Sequence, residues 1–215
     1  MEQEINIEGQ HLILSPAKAL LWKEESMLIV SDAHLGKISH FRKHGIALPR
    51  SAWFDNFRRL DNLVAAFMPF EVLFLGDLFH SRVNEEWEHF CRWRDSFPDI
   101  KMSNVSGNHD ILPQKLYRNA GLEIHPEILL KGPFIFSHKP LEHAIMSYNI
   151  AGHIHPLIRM RGIAKQAVTM PCFYFGSRNA ILPSFGAFTG GYEIDILKGD
   201  RVFGITKEEV IAIST

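Results

Sequence analysis

Five short clusters of potential metal ligands are spaced along this sequence: Asp32-x-His34, Gly76-Asp77, Gly107-Asn108-His109-Asp110, a lone His138, and Gly152-His153-x-His155. From them Asp32, Asp77, His34, His138, His153, His155 and Asn108 supply two carboxylates, four imidazoles and one amide oxygen. That mixed oxygen and nitrogen set suits manganese, iron or zinc. Seven donors exceed what one ion takes from protein while still leaving room for water, so two ions sharing a bridging carboxylate are expected. Such a pair, about 3.5 to 4 Å apart, binds a phosphoryl oxygen, lowers the pKa of a bridging water and offsets the charge that builds during in-line attack. Taken singly, each cluster also has the look of a turn or a cap made of short polar residues. The 12 histidines, several beside Asp, Asn or Gly in loop-like stretches, point to metal chemistry.

Elements of regular structure must bring these clusters together. Apolar runs of strand length at 27–30, 71–75, 133–136 and 149–151 each end in one of them, the pattern of a buried strand followed by a functional loop. Residues 51–68 place Trp53, Phe57, Leu60, Val64 and Phe67 at helical spacing, with Pro49 and Ser51 as start signals. A second helix is predicted over 84–97, with Trp87, Phe90, Cys91 and Arg94 on one side, leading to a strand at 101–105. Strand, helix, strand repetition implies parallel pairing in the first two-thirds of the chain. The carboxyl ends of neighbouring strands then converge on one crevice. After Arg161 short β-like segments at 167–170, 173–175 and 192–197 alternate with Gly and Pro, and the next helix is expected only from Lys207. The fold class is α/β (α+β in some schemes), with a second, largely antiparallel sheet packed on the first. Residues 1–215 are expected to form a single domain, since no repeat, low-complexity tract or linker interrupts them.

Composition limits the alternatives. With 46% hydrophobic residues over 215 positions the chain buries one substantial core. A net charge of -1 provides no global positive field for polyanions, so nucleic-acid binding requires a local patch. Cys91 and Cys172 are far apart and form no C-x-x-C pair, which argues against a disulfide framework or a structural zinc site. No apolar run approaches the roughly 18 to 20 residues that span a bilayer, and residues 1–10 are acidic rather than signal-like. A cytoplasmic location without membrane insertion is expected.

In order and spacing, D-x-H, G-D, G-N-H-D, a lone H and G-H-x-H resemble the calcineurin-like metallophosphoesterase family over about residues 30–156. The resemblance implies a four-layer sandwich of two mixed β-sheets flanked by helices. It implies that Asp32, His34 and His155 bind one ion, that Asn108, His138 and His153 bind the other, and that Asp77 bridges. Two divalent ions are expected as cofactors, manganese first among them, with iron or zinc accepted by the same donors. It further implies that His109 is no ligand but the catalytic group that steadies or protonates the departing oxygen, with Asp110 orienting its imidazole. The alternative for His109 is a structural histidine, and for Asp110 a cap on the stretch beginning at Ile111.

Other features are similar to the bacterial ligase-associated DNA damage response endonuclease (PdeM) subfamily. These are the strand-like 12–14 and 20–22, the loop Asp32-Ala33-His34-Leu35-Gly36-Lys37, and the late Pro183-Ser184-Phe185-Gly186 and Thr189-Gly190-Gly191. That similarity implies a DNA phosphodiesterase working in repair, with a ligase and a helicase as partners. The segment from Lys37 to His44 interleaves positive charge with aromatic character, so it either grips phosphates and stacks a base or forms a solvated loop face. Lys37 and Arg42 from that segment, and His80, are the candidate substrate contacts; an ordinary loop histidine is the alternative for His80. Cys172 reads as a buried apolar residue, and Arg178 nears the site only if the late segment folds over it. A small-substrate phosphatase or phosphodiesterase, acting on a nucleotide or lipid precursor, is the second reading. A non-catalytic scaffold is the third, and the complete ligand set together with His109 argues against it.

Overall fold

The computed structural model describes residues 1–43, 45, 46, 51–142, 147–162, 166–187 and 189–213. His44, Pro49 and His143 lie outside the described residues. Two mixed sheets stack face to face, with seven and nine strands among the described residues. In the first, β1 (Gln3–Ile7), β2 (Gln10–Ser15), β3 (Ala19–Trp22) and β4 (Met27–Ser31) run antiparallel to their neighbours. From β4 the sheet continues in parallel through β5 (Glu71–Leu75), β6 (Lys101–Val105) and β7 (Leu122–His125). The second is built from β8 (Ile128–Lys131), β9 (Phe134–Ser137), β10 (Tyr148–Ala151), β11 (Pro156–Arg161), β12 (Ala167–Phe175), β13 (Asn179–Ile181), β14 (Tyr192–Glu193), β15 (Arg201–Ile205) and β16 (Val210–Ile213). It is mixed and largely antiparallel, as expected: β9, β10 and β13 run parallel, as do β11 and β14, while the pairs of β12 with β11, β13 and β15, of β15 with β16 and of β8 with β9 are antiparallel.

Strand alternation explains the layering. Successive side chains of a strand point to opposite faces, and β4 and β5 are apolar on both. Leu28, Val30, Val72 and Phe74 face the helices, with Phe57, Leu60, Leu63, Trp87 and Phe90 in one core. Met27, Ile29, Leu73 and Leu75 face the other way, onto Phe134, Phe136, Ile150, Phe173 and Phe175 of the second sheet. All four described helices, α1 (Lys37–Lys43), α2 (Ser51–Phe67), α3 (Glu85–Asp95) and α4 (Gln114–Asn119), connect strands of the first sheet. The far face of the second sheet carries no helix among the described residues. There Ile158, Cys172 and Val202 pack under Ile194 and Ile196, so Cys172 is the buried apolar residue its sequence suggests. None of the helices is long and apolar enough to cross a membrane.

Two expectations need correction. Residues 37–43 form a helix rather than a loop, because the buried carboxylate of Glu86 accepts from the backbone N–H groups of Gly36 and Ser39, each at 2.8 Å, and caps it from fifty residues away. Asn84 in turn caps α3 by accepting from the N–H groups of Glu86 and Trp87. At the other end of the chain the segment after Lys207 is a strand, β16, whose β-branched residues pair with β15.

Candidate active site

Five strands deliver the five clusters. Asp32 and His34 follow β4, Asp77 follows β5, residues 107–110 follow β6, His138 follows β9, and His153 and His155 follow β10. The loops are tied to one another by backbone bonds: Asp32 N–H to Gly76 O (3.2 Å), His34 N–H to Asp77 O (2.8 Å) and Gly152 N–H to His138 O (3.0 Å). Five of these residues take the left-handed backbone: Asp32 (φ 52°), His34 (46°), Asp77 (50°), His153 (68°) and His155 (51°). That conformation is uncommon for a residue with a Cβ and clusters where surrounding structure holds it for function. The motif glycines are required by close packing. A Cβ on Gly107 would meet the Asp77 amide nitrogen at 2.2 Å and its Oδ1 at 2.3 Å, and one on Gly152 would meet the Ser31 hydroxyl at 1.8 Å.

Two groups of ligand atoms result, each within 4.8 Å: Asp32, His34 and His155 in one, Asp77, His138 and His153 in the other. Within the first, His155 Nε2 lies 3.1 Å from Asp32 Oδ1. Within the second, His153 Nδ1 lies 3.1 Å from His138 Nε2, which is 3.4 Å from Asp77 Oδ1. Asp77 faces both groups, since its Oδ2 is 3.8 Å from His34 Nε2. Asn108 sits on the loop that presses against Asp77 and is exposed.

The surroundings aim these donors. Asp32 Oδ2 accepts from the Ser31 hydroxyl and the His153 N–H, which leaves Oδ1 facing the imidazoles. His155 Nδ1 meets the Gly190 carbonyl at 2.9 Å, so that nitrogen carries the proton and Nε2 keeps its lone pair for the site. Asp32 Oδ1, both ring nitrogens of His34 and His155 Nε2 are buried and make no hydrogen bond. Buried polar atoms without partners are rare, and a converging set of carboxylate and imidazole donors in that condition fits a pair of divalent cations. Burial pushes His34 down to about 3 despite the pull of Asp32, and lowers His153 with help from His138, so both imidazoles are neutral at pH 7. Burial opposes the charge on Asp32, yet the nearby His155 imidazole and the hydrogen bond from Ser31 hold its carboxyl below the ordinary value.

A rim surrounds the two groups. The His109 ring lies 5.5 Å from that of His34 and 4.4 Å from that of His80, which is 5.5 Å from His40. Burial, with His109 and Lys37 beside it, brings His80 down to about 4. Lys37, first residue of α1, feels the carboxylates of Asp77 and Asp32, although burial still leaves its pKa below the ordinary value. Lys37 and His80 are therefore brought to the site. Arg42 is exposed on the same helix. The expectation for Asp110 is corrected: its carboxylate does not hold the His109 ring. It accepts from the N–H groups of Phe79 (3.0 Å) and Gly107 (2.9 Å), from Asn104 Nδ2 (3.2 Å) and from the Tyr117 hydroxyl (3.1 Å). It is a brace that fixes the 107–110 loop to the one after β5. Arg178 is exposed in the turn before β13, where its carbonyl accepts from Asn149 N–H.

Three supporting residues escaped the sequence reading. Ser31 directs Asp32. Ser184 donates from its hydroxyl to the Asp32 carbonyl, and the Gly190 carbonyl orients His155. The signals were the Ser before the first Asp and the late 183–186 and 189–191 motifs, which carried a resemblance but no role.

Two candidate metal-ligand groups thus stand at the carboxyl ends of strands from two stacked sheets. The chain belongs to the calcineurin-like phosphoesterase family, whose model matches residues 26–170, and it is a metal-dependent phosphoester hydrolase. It is similar to the crystal structure of Pseudomonas putida nuclease MPE, at 29% identity over 99% of this chain and 100% of that one, with a TM-score of 0.83. Two further solved structures share less. The phosphoesterase Yfce from E. coli is 13% identical over 86% of this chain and 96% of that one, TM-score 0.45. The protein of unknown function AQ665 from Aquifex aeolicus is 18% identical over 60% and 78%, TM-score 0.44. No curated protein matches the sequence.

Proposed function

We propose that the chain is a dinuclear-metal phosphodiesterase that cleaves DNA. The observation that carries this is the similarity to a nuclease over the whole length of both chains, joined to two ligand groups facing one another across Asp77. Asp32, His34 and His155 would hold one divalent cation, and Asn108, His138 and His153 the other, with Asp77 between them. Bound there, the pair supplies Lewis acidity and a nucleophile derived from water. The protein's own part is orientation and proton delivery. Ser31, Gly190 and the 184–186 loop keep the donors aimed. Lys37 offsets negative charge at the phosphoryl group, and His109, open to solvent on the rim, gives a proton to the departing oxygen. His80 stands between them at the substrate edge. A place in DNA repair beside a ligase and a helicase, in the cytoplasm, belongs to the same proposal.

The test is elemental analysis of freshly purified protein, followed by assays with each metal restored on plasmid, single-stranded DNA, bis-p-nitrophenyl phosphate and p-nitrophenyl phosphate. Metal-dependent cutting of DNA, with the diester preferred to the monoester, is expected. Rapid turnover of a small phosphoester with DNA left intact would transfer the proposal to a nucleotide or lipid-precursor substrate.

A further inference from the structure

The turn between β2 and β3 separates two clefts on the flank of the active site. On one side Lys18 shares a small cleft with His155, Ser184, Thr189 and Gly190, so this cleft opens directly from the first ligand group. On the other side Ser15, Pro16 and Ala17 line a cleft of about 540 Å³ together with Arg59, Lys207 and Glu2. The 184–185 loop joins them. Ser184 faces the first cleft, while the next residue, Phe185, accepts a hydrogen bond at its carbonyl from the Arg59 guanidinium, which stacks 4.1 Å from the Phe185 ring centroid.

Lys18 and Arg59 are half-buried, and Lys207 is exposed where it lines the second cleft. Lys131, half-buried at the opposite end of the sandwich, meets Glu71 at 2.9 Å and Glu25 at 3.1 Å. No ion pair among the described residues involves Lys18, Arg59 or Lys207. Asp55, the acid nearest to Arg59 in its effect, is paired with Arg58 at 2.8 Å. Burial, added to by Arg59, pushes the Lys18 ammonium down to about 8, and burial brings Arg59 to about 10. Withdrawing Lys18 and Arg59 from water side by side, with no ion pair to either, is unfavourable, and an arriving anion removes that penalty.

We propose that Lys18, Arg59 and Lys207 form a track for the phosphates of a nucleic-acid strand whose scissile bond lies at the metal centre. A polyanion suits this arrangement because cations stand on both sides of one turn, in clefts joined by a single loop, and the nearer cleft shares His155 with the site. The track also answers how a chain of net charge -1 holds DNA: the attraction is local. It rests on the nuclease proposal above.

The experiment reads binding rather than turnover. A fluorescein-labelled single strand of about 20 nucleotides is titrated with metal-free protein in EDTA, and anisotropy is followed over a range of NaCl. In the variant carrying both Lys18→Gln and Lys207→Gln, the Kd should weaken about 10-fold or more at ~0.1 M salt, with a salt slope shallower by about 1.4, the value for two lost single-strand phosphate contacts. An unchanged Kd and slope overturns the track. So does an equal loss in the charge-matched control Lys115→Gln with Lys198→Gln, which would reveal a general charge effect. Unaltered melting temperatures establish that both variants fold. Wild-type protein that binds through these lysines but leaves DNA uncut with manganese restored defeats the nuclease proposal and keeps the track. Wild-type protein that cuts DNA, with the Lys18 and Lys207 variant binding normally, does the reverse.

Discussion

Asp32 is held at three points. Its Oδ2 takes two donors, its carbonyl takes the Ser184 hydroxyl, and its backbone sits in the left-handed region at φ 52°. Such over-determination is what lets a sparsely populated conformation persist. It also makes the neighbouring glycine indispensable: Gly152→Ala, whose new Cβ would lie 2.5 Å from Asp32 Oδ2, should displace the carboxylate. Elemental analysis is expected to find the first ion depleted, with activity down by ~10²-fold, the usual cost of a misplacement near 1 Å. His109 makes the opposite prediction. Its ring is exposed beside those of His34 and His80 and belongs to neither ligand group, so His109→Ala should keep both metals while kcat falls by about 10²-fold from lost general-acid assistance; an unchanged kcat removes it from the mechanism. The six Asp and His residues that the structure gathers into two candidate groups were legible, because such residues at the ends of apolar runs have few other reasons to recur. Asp110 was legible as important but not in its role, since a carboxylate's four acceptor directions are filled by residues as distant as Phe79 and Tyr117.

The elements were read from periodicity wherever the apolar signal was long. β5 and β6 fall at the expected residues, and α2 and α3 within one to two positions of them, the ordinary uncertainty of helix ends. α1 was missed because seven residues with mixed polarity do not make a helix unaided; it exists by virtue of Glu86, a tertiary contact that no local pattern announces. Glu86→Ala should therefore expose α1 without unfolding the sandwich. Hydrogen exchange of residues 37–43 is expected to accelerate, with a stability loss of about 1–3 kcal/mol from two amides left without a partner, and KM should rise as Lys37 loses its position. Protection unchanged across α1 would show that packing alone holds it. β16 was misread for a related reason, because its β-branched residues gain a strand partner only after β15 has docked.

For the molecule as a whole, the two sheets are held together by the apolar layer of Phe134, Phe136, Ile150, Phe173 and Phe175 against Met27, Ile29, Leu73 and Leu75. At one end of the sandwich the Lys131–Glu71 ion pair spans the sheets, and at the other the ligand groups do. Each group mixes layers: Asp32 and His34 from the first sheet with His155 from the second, and Asp77 from the first with His138 and His153 from the second. Ions that bind only the folded arrangement raise its stability by mass action, by about 2.7 kcal/mol at a hundredfold excess over Kd. Removing them with EDTA is expected to lower the melting temperature, and adding manganese back should restore it. A melting temperature indifferent to chelation would mean that the donors do not grip ions across the sheets.

This division of the ligands has a consequence during synthesis. A ribosome that has released the chain only as far as β9 has made Asp32, His34 and Asp77 but neither His153 nor His155. On the proposed ligand assignment every half-finished copy lacks both complete groups, and the capacity to break phosphoesters arrives only with the β10 loop.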